Sequence, residues 1–143
     1  MSKKVLIANR GEISLRAIRA CKELGLKTVC IYSEGDKELK SLRFSDESVC
    51  VGPADPTKSY LDAPTILSAA DVTGSDAIYP GYGFLAEDHS FAEQCNLSGF
   101  KFIGPSSETI RQMGDKITAK SIVTKYGIDA VSYTHLRAHE TFR

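Results

Sequence analysis

The 143-residue chain has no tryptophan, only two methionines and five prolines, and no excess of charge, since 18 Lys and Arg balance 18 Asp and Glu. A formal net charge of zero excludes a blanket attraction to nucleic acid or to an anionic membrane. No apolar run approaches the roughly 18 residues that span a bilayer. The opening Met-Ser-Lys-Lys leads only into Val5 to Ala8, too short for the apolar region of a secretory signal. Cysteine is sparse as well. Cys21, Cys30, Cys50 and Cys95 form no Cys-x-x-Cys pair, so neither a zinc site nor a dithiol redox site is expected. Each lies in an apolar stretch and is expected to act as a free core hydrophobe. A cytoplasmic globule of ordinary domain size, able to bury a core without metal or disulfides, is what remains.

What is present alternates. Val5 to Ala8, Thr28 to Tyr32, Ser48 to Val51, Ala77 to Tyr79 and Phe100 to Ile103 are short apolar runs between turn residues, which read as buried parallel strands. Helical patterns separate them. Glu12 to Leu24 places Ile13, Ala17, Ala20, Cys21 and Leu24 on one face, with Gly25 as the stop. Leu61 to Val72 ends before Gly74, and Ser90 to Leu97 ends near Gly99. This rhythm predicts an α/β fold: a parallel sheet with helices on both faces, binding ligands at the carboxyl ends of its strands. Asn9 to Glu12, Ser33 to Asp36, Pro80 to Glu87 and Gly104 to Ser107 should converge there. After Ser107 the rhythm breaks. One helix runs to Gly114, and Asp115 caps a second over Lys116 to Tyr126, a bridge to something else.

The first strand-to-helix turn, Ala8-Asn-Arg-Gly-Glu-Ile-Ser14, has one glycine where a dinucleotide fingerprint needs three, and Glu12 repels phosphate from the helix start. An NAD-dependent half-enzyme is therefore disfavoured. Asn9 reads as a local turn former and Arg10 as a partner for Glu12, ahead of direct ligand contact. In Pro80-Gly-Tyr-Gly-Phe-Leu-Ala-Glu87 the two glycines admit positive φ and close approach of a planar ligand; a tight turn over a core Phe84 would explain them too. Lys116, in the first turn of a helix, suits a phosphate as well as it suits solvent. His89, flanked by acids, reads as a surface or capping residue.

The longer strings carry more. Lys4-Val-Leu-Ile-Ala-Asn-Arg-Gly-Glu-Ile13, Arg19-Ala-Cys-Lys-Glu-Leu-Gly25, Tyr79-Pro-Gly-Tyr-Gly-Phe-Leu-Ala-Glu87, Phe102-Ile-Gly-Pro105 and Met113-Gly-Asp-Lys116 resemble, in order, the opening of biotin carboxylases. The resemblance runs from about Lys3 to about Ala130. Lys58-Ser-Tyr-Leu61 and Ala69 to Gly74 most resemble the bacterial acetyl-CoA carboxylase subunit; pyruvate and propionyl-CoA carboxylases are similar. The resemblance implies a Rossmann-like, pre-ATP-grasp domain over 1–114, the start of a bridge over 115–130 toward an ATP-grasp domain beyond this chain, and a non-native tail over 131–143. That tail resembles translated sequencing-adapter read-through, and its His135 and His139 are set aside with it.

The resemblance also implies an ATP-dependent ligase, which uses Mg2+-ATP and bicarbonate to carboxylate biotin on a carrier protein. Lys116 would contact ATP, Tyr82 and Gly83 would line the biotin side, and Arg16, Arg19 and Glu23 would lie at a homodimer interface. The biotin carboxyl carrier protein and a carboxyltransferase component are the implied partners, with no nucleic acid and no membrane. No catalytic group or metal ligand falls within the chain, so alone it is expected to be inactive and to hold ATP, Mg2+ and biotin weakly. Tyr79 stands where the family usually has histidine, which would alter hydrogen bonding beside the loop. A stand-alone binding or dimerisation module without catalysis is the alternative.

Overall fold

A computed structural model describes residues 3–114. Five strands, β1 (Lys4–Ile7), β2 (Lys27–Ser33), β3 (Glu47–Gly52), β4 (Ala77–Tyr79) and β5 (Lys101–Phe102), form one all-parallel sheet in the order β3-β2-β1-β4-β5. The helices are α1 (Gly11–Glu23), α2 (Ala63–Val72), α3 (His89–Leu97) and α4 (Ser107–Gly114). The chain winds outward from β1 through β2 to β3, then returns to lay β4 on the other side of β1. That reversal puts a topological switch point between the carboxyl ends of β1 and β4, where the two following loops part.

Two cores flank the sheet, as a parallel sheet requires. Leu6, Val29, Ile31, Ile78 and Phe102 face α2, α3 and α4, and pack with Ile66, Ala70, Phe91, Cys95 and Ile110. On the opposite face Val5, Ile7 and Cys30 pack with Ile18 and Cys21 of α1. Side chains that alternate along β1 thus serve both layers.

The elements correct several sequence expectations. In α1 the buried side is Ser14, Leu15, Ile18 and Cys21. Of the expected face only Cys21 is buried, whereas Ile13 and Ala17 are half-buried, and Ala20 and Leu24 are exposed. Both sides of this helix are apolar, so periodicity alone picked the wrong one. The second helix starts at Ala63 rather than Leu61, because Asp62 caps it and Pro64 fits its first turn. β3 is an edge strand, not a buried one. Its register pairs Cys50 with Tyr32 on the α1 side of the sheet, beyond the reach of that helix, so Cys50 is exposed rather than in the core.

Candidate functional site at the β1–β4 switch point

Asn9 follows β1 and is 1% exposed. Its Nδ2 donates to the carbonyls of Pro80 (2.8 Å) and Tyr82 (2.7 Å), while its Oδ1 accepts from the Arg10 amide at 2.8 Å. A buried primary amide needs such partners, and here they lie some 70 residues away on the loop after β4. The sequence reading of Asn9 as a local turn former is therefore corrected: it staples two loops across the switch point.

The stapled loop has unusual backbone. Gly81, Gly83 and Phe84 have φ of +69°, +71° and +47°, and Phe84 is the only non-glycine with positive φ among the described residues. A side chain on Gly81 would put its Cβ 2.7 Å from Ile13 Cγ2 and 3.0 Å from Asn9 Nδ2, so only glycine fits between the loop and α1. The Phe84 ring stacks on Tyr60, with centroids 5.0 Å apart and planes 26° from parallel. Tyr82, by contrast, turns its ring outward and is 75% exposed.

Arg10 does not pair with Glu12 as expected. Its Nε and Nη2 grip both Asp36 oxygens at 2.7 and 2.9 Å, a two-pronged contact between the loops after β1 and β2. The Tyr60 hydroxyl donates to Asp36 Oδ2 at 2.5 Å and accepts from the Ser33 amide at 3.0 Å. The Arg10 hydrogen bonds hold the Asp36 carboxyl below the usual range. Burial, and then the bond to Asp36, pushes the Tyr60 phenol up. The charged carboxylate and neutral phenol that the network requires are thus the forms favoured at neutral pH.

The four expected segments converge. The loops after β1, β2 and β4 meet through the contacts above, and Pro105 after β5 joins Ala86, Glu87 and Ile110 around a small cleft. Tyr82 and Gly83 lie together against Asn9 to Ile13. Arg16 and Arg19 border an adjoining open groove of ≈ 480 Å³ where α1 meets the β4 side of the sheet, lined also by Ile13, Ala17, Leu24, Tyr79 and Tyr82. Glu23 is exposed at the end of the same helix. Tyr79 contributes packing: its ring joins the α1-side core and its carbonyl takes the Ala8 amide at 2.8 Å. His89 opens α3 and is exposed, but the cap is Asp88, whose carboxylate accepts from the Phe91 amide. Lys116, the bridge and the tail lie outside the described residues. Among the described residues no three His, Cys, Asp or Glu side chains converge.

Sequence reasoning missed Tyr60 and the pairing of Arg10 with Asp36. Asp36 fell within a segment predicted to reach this edge, which was the available signal. Tyr60 lies between elements, where periodicity is silent.

The sequence matches the family model described as biotin carboxylase, N-terminal domain, over residues 1–110. The chain belongs to the biotin carboxylase N-terminal domain family. The biotin carboxylase of Pseudomonas aeruginosa is 60% identical over 131 residues, 92% of this chain and 29% of that enzyme. A Campylobacter jejuni biotin carboxylase, solved as a beta-gamma-ATP complex, superposes with a TM-score of 0.84 at 49% identity, covering 89% of this chain and 28% of that one. The biotin carboxylase domain of Hydrogenobacter thermophilus 2-oxoglutarate carboxylase, a dimer solved with ADP, its magnesium salt and bicarbonate, gives 0.84 at 47% over 89% of this chain and 28% of its own. The chain thus spans less than a third of the biotin carboxylases it matches. Among the described residues no helix is long and apolar enough to cross a membrane.

Proposed function

We propose that this chain supplies the N-terminal domain of a cytoplasmic biotin carboxylase. In such an enzyme Mg2+-ATP and bicarbonate carboxylate biotin on a carrier protein, and a carboxyltransferase component then takes the carboxyl group on. Acetyl-CoA carboxylase is the parent we favour. Residues 3–114 hold no catalytic centre of their own and contribute two surfaces. Tyr82 and Gly83 present the biotin side, and Lys116, at the head of the bridge that we place at 115–130, contacts ATP. Arg16, Arg19 and Glu23 form part of a homodimer face.

The observation that carries this reading is the loop Gly81 to Phe84. Its strained backbone is fixed from below by Asn9 while the Tyr82 ring is left exposed, which suits presentation to a planar ligand more than it suits packing. The test is a chimera in which residues 1–110 replace the matching segment of the Pseudomonas aeruginosa enzyme. It should turn over ATP in a bicarbonate- and biotin-dependent manner, and Tyr82→Ala should raise its KM for biotin by about tenfold. A folded chimera without biotin-dependent turnover refutes the reading.

A second reading, a dimerisation module without catalysis, is favoured by one feature: the apolar groove where α1 meets the β4 side of the sheet, bordered by Arg16 and Arg19.

A further inference from the structure

Three of the four residues from Gly81 to Phe84 sit at positive φ. Glycine adopts such a backbone freely, but phenylalanine does so only where its surroundings hold it there. The contacts around Phe84 form a closed circuit. Its ring stacks on Tyr60, Tyr60 Oη binds Asp36, and Asp36 grips the Arg10 guanidinium. The Arg10 amide is taken by Asn9 Oδ1, and Asn9 Nδ2 returns to the loop at Pro80 and Tyr82. The circuit therefore grips the loop at both ends and leaves the Tyr82 ring exposed between them.

Tyr60 is the member whose chemistry is hardest to explain by packing. It is 2% exposed within the core beneath α2 and α3, where a phenylalanine would fill the same space. A buried hydroxyl is costly unless bonded, and this one is bonded twice: it donates to Asp36 and accepts from the Ser33 amide. Its ring and hydroxyl thus join the core, the end of β2 and the loop in one side chain.

We propose that Tyr60 is a positioning residue for the Gly81–Phe84 loop, its ring seating Phe84 so that the Tyr82–Gly83 backbone is held in its ligand-ready shape before any partner arrives. The inference rests on the reading that Tyr82 and Gly83 line the biotin side, and it adds a residue that touches no ligand. Pre-organisation of this kind tightens binding by removing the ordering cost that a loose loop would carry.

Two measurements test it. In the 143-residue chain, Tyr60→Leu should speed amide hydrogen exchange at Ala86, whose N–H donates to the Gly83 carbonyl at 2.9 Å, by about tenfold and leave the α1 amides unchanged. In the chimera, Tyr60→Leu should raise the KM for biotin by about tenfold with the KM for ATP shifted less than about twofold. Tyr60→Phe keeps the stack but takes the hydroxyl from Asp36 and the Ser33 amide, and should fall between the parent and Tyr60→Leu. Should Tyr60→Leu not fold, Phe84→Leu removes the other half of the stack from a half-buried site and carries the same expectation. Unchanged loop exchange overturns the positioning role, and so does a KM for ATP that moves in step with that for biotin. An unsubstituted, folded chimera without biotin turnover instead removes the functional reading, and the exchange measurement still decides what Tyr60 does to the loop.

Discussion

Asp36 is where the site's electrostatics concentrate. Its carboxyl is held low first by the Arg10 hydrogen bonds and also by Tyr60, against a desolvation cost that pushes the other way. A group whose folded pKa lies below its unfolded one adds stability that is complete above the unfolded value, about 3.9 for Asp. That stability is lost as pH falls through the folded value. Urea melts of the chain and of Asp36→Asn should therefore differ most near neutrality and converge as the solution is taken below about pH 4. A gap that stayed constant into acid would mean that Asp36 acts through shape and not charge. This pairing could not be read from the sequence. Arg10 has Glu12 two residues away, and proximity along the chain made that the simplest partner, but residues two apart at a helix start do not face one another. The glycines at 81 and 83 were legible as positive-φ positions. Phe84 was not, because nothing in a residue's type announces that a distant ring will hold it left-handed.

α1 is the element in which pattern and burial disagree most. Ile18 lies within the core against β1 and β2, whereas Leu24 is 74% exposed although both sit on apolar stripes. Ile18→Ala should cost about 2–5 kcal/mol of unfolding free energy. Leu24→Ala should fall within about 0.5 kcal/mol of the parent. Denaturant titration of the two variants checks the assignment, and comparable losses would contradict it. The strands were far more legible: Ala77–Tyr79 has the bounds expected of it, and the ends of the others shift by one residue. Short apolar runs between turn residues have few other uses in a chain of this length. A helix with two apolar sides has two equally good faces on paper, and the sheet chooses between them.

For the molecule as a whole, the carboxyl edge of the sheet was the most legible feature, since strand-helix alternation already directs ligands there, whereas the strand order that puts the switch point between β1 and β4 was not legible. What alternation could not supply was the groove between α1 and the β4 side of the sheet, which needs the strand order and the position of Tyr79 on β4 to exist at all. If that groove is a homodimer face, the 143-residue chain should sediment as a concentration-dependent dimer. Arg19→Glu should then return it to monomer in analytical ultracentrifugation. A monomer at every concentration would leave the face without a partner copy and count against both the dimer and the module reading.

The same groove has a colloidal consequence. With a formal net charge of zero and an isoelectric point of ≈ 6.8, copies of this chain carry almost no mutual repulsion near neutral pH. What two copies feel on meeting there is set by short-range adhesion, and the α1 groove, edged by the exposed Leu24 and Tyr82, is one adhesive patch among the described residues. A partner that covers the α1 groove would therefore also remove part of the tendency of these copies to adhere.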